Sequence, residues 1–311
     1  LASLAVAYLL GIGALIALRG LMFESSAFEL ASILVPFLLL AAFPLVLIGL
    51  LARSRATLAA GSVLGLIFAV MFGGRFLPAP PGADAAAPTL RVLTYNLGAD
   101  RLDPDVAFQV FDQVQADIIG LQELTPATAQ ALSERGDYPY QLVDPYGPTT
   151  GLLSRHPILA SQLYLSPHGR SFWGAVLDWN GQAVTVFVLH PPSPSVRIRR
   201  GLPTGVDMRQ TDRYLQDALS VIGAPAGPVI VLGDFNSSDQ SRTYLRMRQI
   251  FADAFASAGR GFGFTWPNPR RFMPVVRIDY VFLSDALHAH DAYVGCESSS
   301  DHCYLVAELT R

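Results

Sequence analysis

Hydrophobic positions divide the chain into two unlike parts. Up to residue 77 they form long runs over 1–18, 30–51 and 57–77. Each run comes close to the ~20 residues that a helix needs to cross ~30 Å of hydrocarbon, so the pattern predicts three transmembrane helices. A cleavable signal peptide is the alternative for the first run, and the two further runs behind it favour an anchor. Pro36 and Pro44 fall inside the second run. Membrane helices tolerate proline where neighbouring helices and local backbone adjustment satisfy the freed carbonyls. A tract rich in proline and alanine follows over 78–88. It cannot bury enough surface to fold and predicts an extended spacer of ~3.1 Å per residue.

From residue 90 the runs are short and alternate in period. The pattern predicts strands over 91–96 and 117–123, a helix over 104–115 and another opening near Thr125-Pro126. Segments 175–179 and 182–190 flank Asn180-Gly181, a strong signal for a tight hairpin. A helix over 207–222, a strand over 228–232 and final strands over 277–283, 289–295 and 303–309 complete the reading. Many strands with few helices between them predict two packed mixed sheets flanked by helices, a four-layer α/β sandwich. The domains are therefore 1–77 as a three-helix anchor, 78–88 as linker and 89–311 as the globular domain.

Charge adds an orientation and disfavours one class of partner. Hydrophobic residues make up 51% of the chain and charged residues 15%, against roughly 25% charged in an ordinary soluble domain. Arg53 and Arg55 lie between the second and third runs, whereas Arg19 shares its loop with Glu24 and Glu29. Basic residues near span ends favour the cytoplasmic side, which predicts a multi-pass protein of the cell membrane with its C-terminal domain outside. There is no lysine, and the part from residue 89 carries four more acidic than basic residues. Nucleic acid is thus a disfavoured partner, because backbone phosphates call for a basic stripe. Arg197, Arg199 and Arg200 form a short cluster and read as a solvated loop.

The polar residues of chemical interest end apolar strands: Asn96, Glu123, His190, Asp234 with Asn236, Asp279, and Asp301-His302 just before the last strand. Singly, each has a plain explanation as a turn former, a helix cap or a core residue. Together they supply hard oxygen ligands suited to Mg²⁺, with Mn²⁺ as the alternative, and imidazoles suited to proton transfer.

The ordered series Thr94-Tyr95-Asn96, Gln122-Glu123, Leu153-Ser154-Arg155-His156-Pro157-Ile158, His190, Gly233-Asp234-Phe235-Asn236, Arg277-Ile278-Asp279-Tyr280 and Ser300-Asp301-His302 resembles the endonuclease/exonuclease/phosphatase superfamily. That superfamily includes pancreatic-type deoxyribonucleases, neutral sphingomyelinases and inositol-phosphate phosphatases. The resemblance implies a metal-dependent hydrolase of phosphate ester or phosphoanhydride bonds. It implies Glu123 as principal metal ligand with Asn96 and Asp301 beside it, and Asp234 and Asn236 positioning the attacking water and a phosphoryl oxygen. His302 would be the general base, oriented by Asp279, and His190 would donate a hydrogen bond or proton towards the phosphate or leaving group. Arg155 and Trp266 are candidate substrate contacts, with a structural hydrogen bond and core packing as their respective alternatives.

Leu124 follows Glu123 where many abasic-site nucleases carry lysine, and His190 stands where they have tyrosine, so a repair nuclease is disfavoured. The three spans and His190-Pro191-Pro192 resemble a bacterial membrane-bound branch associated with teicoplanin resistance, which implies a lipid phosphate substrate such as a polyprenyl pyrophosphate. A membrane-anchored nuclease and a catalytically silent binding module are the competing readings. Cys296 and Cys303, the only cysteines, are expected to form a disulfide if the domain is extracytoplasmic, with buried thiols as the alternative.

Overall fold

In the computed structural model the described residues are 1–21, 25–77, 88–98, 104–144, 146–147, 149–270, 272–273, 275–298 and 300–311. The predicted spacer, apart from Pro88, lies outside them. The described chain groups into two units, each taken by itself: Leu1–Leu77 with Ser195–Met208 and Asp239–Leu245, and the remainder. The first unit is therefore wider than the 1–77 anchor, because two stretches of the 89–311 region group with it.

In the first unit, helix α1 (Ala2–Gly20) is followed by α2 (Ser26–Ile33), α3 (Val35–Leu39), α4 (Ala42–Leu51) and α5 (Arg55–Phe72). Ala2–Arg19 and Arg55–Phe76 are long and apolar enough to cross a membrane. The second predicted span is not one straight helix. Ser26–Ile33 and Val35–Leu51 meet at 56° and make a third span only if the bent pair counts as one. Proline explains the breaks: it lacks the N–H of a helix interior but suits a first turn. Pro36 accordingly opens α3, and Pro44 lies in the first turn of α4.

Helices α4 and α5 approach closely at glycines. A Cβ on Gly49 would lie 2.6 Å from the Leu58 nitrogen, and one on Gly61 would lie 2.8 Å from that of Val46. Small residues allow such contact where dispersion, rather than water, drives helix association. Leu4, Leu10, Phe43, Leu50, Leu66 and Val70 are exposed, which is compatible with the predicted anchor.

The second unit contains β1 (Leu90–Asn96), α6 (Pro104–Val114), β2 (Ile118–Gln122), α7 (Pro126–Ser133), β3 (Tyr140–Leu142), β4 (Gly151–Ser154), β5 (Ile158–Tyr164), β6 (Phe172–Trp179) and β7 (Gln182–Leu189). Strands β8 (Ser195–Arg199) and β9 (Leu202–Asp207) form a separate ribbon that belongs to the first unit. There follow α8 (Arg209–Ile222), β10 (Val229–Asp234), α9 (Arg242–Met247), β11 (Ala252–Asp253), α10 (Ala254–Ala258), β12 (Asp279–Leu283), β13 (His288–Gly295) and β14 (Tyr304–Thr310). Among the described residues there are two six-stranded sheets, ordered β13-β14-β1-β2-β4-β3 and β11-β12-β10-β7-β6-β5. Both are mixed: β1 runs parallel to β2 and antiparallel to β14, while β10 runs parallel to β7 and antiparallel to β12. The hairpin at Asn180-Gly181 forms as predicted, with φ of 55° and 82° at the two turn residues.

Side chains alternate across a strand, and this explains where the site lies. Val92, Ile118, Val186, Val188, Ile230, Leu232, Val281 and Leu305 share the core between the sheets. Leu93, Tyr95, Ile119 and Leu121 turn the other way, to pack with Val110 and Phe111 of α6. Continuing the inner rows gives Asn96, two residues past Thr94 on β1, and His190 and Asp234, two residues past Val188 and Leu232; Asp279 begins the inner row of β12. Contact between the sheets is tight: a Cβ on Gly120 would lie 1.7 Å from Cδ1 of Leu232.

Candidate active site

The inner rows are apolar along their length and polar at one end, so the sheets bring buried polar groups to a common point. Asn96, His190, Asp234, Asp279 and His302 are all buried. Asp234 and Asp279 are direct neighbours across the β10–β12 ladder. The Asp234 Oδ2 atom is the hub. It accepts from Asn96 Nδ2 at 2.9 Å and from Asn236 Nδ2 at 3.2 Å, and it lies 3.6 Å from His190 Nε2 and 3.8 Å from His302 Nε2. His302 is fixed from its other side, where Nδ1 meets Asp279 Oδ2 at 3.0 Å.

Backbone turns re-aim the groups that alternation would misplace. Glu123 continues β2 in the outward-facing row, but its φ of 58° breaks the strand, and its Oε1 lies 3.7 Å from His190 Nε2. Asn236 has φ 49°; its N–H donates to Asp234 Oδ1 at 2.8 Å and its Nδ2 donates to the Pro191 carbonyl at 3.1 Å. Gly98, at φ 73°, donates its N–H to Asn96 Oδ1 at 2.9 Å. A Cβ there would meet Asp301 Oδ1 at 2.9 Å, so glycine is what lets the Asp301 carboxylate approach the end of β1. Ser300 completes the joint by donating Oγ–H to the Asn96 carbonyl at 2.7 Å and accepting the His302 N–H at 3.0 Å.

Two predicted contacts lie apart from the hub. Ser154 pairs with Ile118, at the opposite end of β2 from Glu123. Arg155 beside it donates to Gln115 Oε1 at 2.6 Å and lies over the Tyr138 ring. The structure does not bring Arg155 to the cluster, and these contacts describe its structural alternative. Trp266 is 39% exposed and bridges to Val276. It flanks residues that hold the site and has no described contact with the hub.

Sequence reasoning gave no role to Arg170, Thr265 or Asn268. Arg170 Nη1 lies 2.6 Å and 2.5 Å from the two ring nitrogens of His190. Thr265 Oγ1 accepts the N–H groups of Ile278 and Asp279 at 3.1 and 3.3 Å. Asn268 Nδ2 donates to the carbonyls of Glu297 and Ser300 at 2.5 and 3.0 Å, gathering the 297–302 loop. The same loop is closed by a disulfide between Cys296 and Cys303.

A model of the Endonuclease/Exonuclease/phosphatase family matches residues 93–302, a span that runs from β1 through His302. The chain belongs to this family. No curated protein matches its sequence. Similar solved structures include a humanized TDP2 from D. rerio carrying 14 mutations, at 21% identity and TM-score 0.57, covering 72% of this chain and 99% of that one. A mannosyl-6-phosphatase from Bacteroides thetaiotaomicron is similar at 16% identity and TM-score 0.58, covering 71% of this chain and all (100%) of that one. The human Nocturnin catalytic domain with bound sulfate is similar at 19% identity and TM-score 0.54, covering 72% and 95%. As a member of the endonuclease/exonuclease/phosphatase family the chain is a metal-dependent hydrolase of phosphate ester or phosphoanhydride bonds, which sets aside the silent-module reading.

The donor set of this family member fits a divalent cation. The Glu123 side chain is partly exposed, the Asp301 carboxylate approaches Gly98, and the Asn96 amide oxygen accepts the Gly98 N–H; oxygen ligands of this kind suit such an ion. Asp234, Asp279 and His302 form a second group with ligand atoms within 4.8 Å of one another. There His302 Nδ1 lies 3.0 Å from Asp279 Oδ2 and Nε2 lies 3.8 Å from Asp234 Oδ2.

Charge states follow from burial and neighbours. Burial pushes the Asp234 carboxyl up to about 7, helped by Asp279 and opposed by His302 and the Asn236 and Asn96 amides. Burial alone would lower His302, but the Asp279 and Asp234 carboxylates outweigh it and hold the imidazole at about 9. His190 is held well below the usual histidine value by burial, then by the Arg170 guanidinium and His302. Their surroundings therefore push the two imidazoles in opposite directions although both face one carboxylate oxygen.

Proposed function

We propose that the protein is a membrane-anchored, Mg²⁺-dependent phosphoesterase acting on a lipid phosphate or pyrophosphate, on the outer side of a cell membrane. The observation that carries the hydrolytic part is the convergence of four strand ends on Asp234 Oδ2, with a base–carboxylate pair on one side and oxygen ligands on the other.

In this reading Glu123, with Asn96 and Asp301, holds the ion. A bound divalent ion would supply positive charge for the phosphoryl oxygens and would oppose the carboxylates that raise the His302 imidazole. Asp234 and Asn236 orient the attacking water. Asp279 fixes the Nδ1 proton of His302, leaving Nε2 to take the proton of the water as its oxygen bonds to phosphorus and the bond to the leaving oxygen breaks. His190, kept uncharged, contributes a hydrogen bond rather than a proton. Trp266 shapes access to the site.

The lipid assignment is supported by tethering. A linker of 78–88 spans about 35–40 Å even when fully extended. Confinement raises the effective concentration of a headgroup but not of a freely diffusing nucleotide. The test is Mg²⁺-dependent phosphate release from undecaprenyl pyrophosphate and from phospholipid by the full chain in liposomes, beside nicking of plasmid DNA. Release from a lipid phosphate supports the proposal. Efficient nicking with no release from any lipid phosphate would replace it with a membrane-anchored nuclease.

A further inference from the structure

The β8–β9 ribbon is unlike the other strands. Along 196–202 it reads Val-Arg-Ile-Arg-Arg-Gly-Leu, with aliphatic and cationic side chains alternating on β8. None of this is buried: Val196 is 53%, Ile198 62% and Leu202 67% exposed. The tip is a tight turn, with φ 51° at Arg200 and 78° at Gly201. Arg197 leans towards Asp207 at 3.7 Å, while Arg199 and Arg200 have no partner among the described residues. A two-stranded ribbon is marginal in water alone, and one with exposed aliphatic side chains on both faces among unpaired arginines suits a boundary between apolar and anionic surroundings.

Contacts inside the first unit locate that boundary. The root of the ribbon is buried, and Gly205 sits against Ser26 at the start of α2; a Cβ there would meet Ser26 at 3.0 Å. The guanidinium of Arg19, at the end of α1, donates to the Gln240 carbonyl at 2.9 Å. That of Arg75, just past α5, pairs with Asp239 at 2.5 Å. Thus the ends of α1 and α5 carry polar partners, and the ribbon packs against the start of α2. If α1 and α5 cross a membrane, these termini mark where they leave it.

We infer that the β8–β9 ribbon is a lipid-docking element: Val196, Ile198 and Leu202 enter the outer edge of the bilayer, and Arg197, Arg199 and Arg200 engage phosphate groups of anionic lipids. The inference rests on reading the apolar helices as membrane spans and does not depend on which phosphate the active site hydrolyses. It gives the arginine cluster an anionic surface to bind without requiring a nucleic acid.

The test uses the full chain in vesicles of phosphatidylcholine, with and without about one-third phosphatidylglycerol. Ile198→Cys carries an environment-sensitive fluorophore, and Ser161→Cys on the exposed strand β5 carries the same label as control. The expected result is blue-shifted emission at 198, quenched by lipids spin-labelled near the headgroup, with water-like emission at 161. Arg199→Glu with Arg200→Glu should abolish the extra shift that phosphatidylglycerol brings. Failure to float with vesicles would overturn the anchor and the ribbon together. Flotation with water-like, unquenched emission at 198 would overturn the ribbon alone. A shift produced by DNA and not by lipid would do the same. Phosphate release in the same vesicles reads the proposed activity separately.

Discussion

The two halves of the active-site cluster are built differently. Asp234, Asp279 and His302 are buried, and the two aspartates are paired across a ladder. Glu123 and Asp301 stand at turns: the Glu123 side chain is 29% exposed, and Asp301 approaches β1 only because Gly98 leaves room. A proton-transfer pair gains from a dry, fixed setting, where its partner sets tautomer and basicity. A cation site must exchange its ion and admit a charged substrate, so it belongs at the open edge. In the proposed mechanism the difference between strand and turn becomes a division between proton handling and charge handling.

The sharpest way to break this division is kinetic. His302→Ala and Glu123→Gln should each lower the rate by about 10²–10⁴, with the fold retained by circular dichroism. They should part on metal titration, where raised Mg²⁺ partly restores Glu123→Gln and leaves His302→Ala unchanged. Equal rescue of both would erase the division, and near-wild-type activity in either would remove that residue from the mechanism. Chelation should stop wild-type turnover, with Mg²⁺ or Mn²⁺ restoring it.

A smaller effect concerns the loop that serves both halves. Replacing Cys296 and Cys303 by serine opens the closure around Asp301 and His302. It should cost about 2–3 kcal/mol in the chain-entropy account, read as a lower denaturation midpoint. An unchanged midpoint would mean that Asn268 and Ser300 suffice to hold the loop.

Beneath both halves lies the contact of Gly120 with Leu232. Gly120→Ala overpacks it and should destabilise by about 1–3 kcal/mol, with a milder fall in activity than His302→Ala brings. The smallest effect is expected at Arg155. Its bonds lie at the far end of β2, so Arg155→Ala should leave kcat/KM within about threefold and stability within about 0.5 kcal/mol. A larger loss of kcat/KM would return Arg155 to the substrate path.

Legibility in the sequence followed periodicity. β1, β2, β7 and β10 were readable as short apolar runs largely buried on both faces, and the polar residues were readable because they end those runs. The hairpin at Asn180-Gly181 was readable from turn chemistry alone. Arg170, Thr265 and Asn268 were not, since each comes from a segment without a period and acts through one hydrogen-bonding atom. β5 was missed because five of its seven residues are polar or small (Ala160, Ser161, Gln162, Tyr164) or exposed (Leu159), which hides an edge strand. The ribbon at 195–207 looked like a loop because its arginines suggested solvent. The bend at residue 34 was hidden because hydropathy reports composition and not helix direction.

The left-handed backbone at Glu123 bears on any attempt to make this protein sturdier. That conformation disfavours an L-residue with a long side chain and welcomes glycine or asparagine. A thermostability screen of a random library would therefore nominate position 123 for relief and would reward the change with a higher melting temperature. The winning variants would lose the carboxylate proposed to hold the ion. For this fold, selecting for heat resistance without also selecting for turnover would enrich well-folded, inert protein.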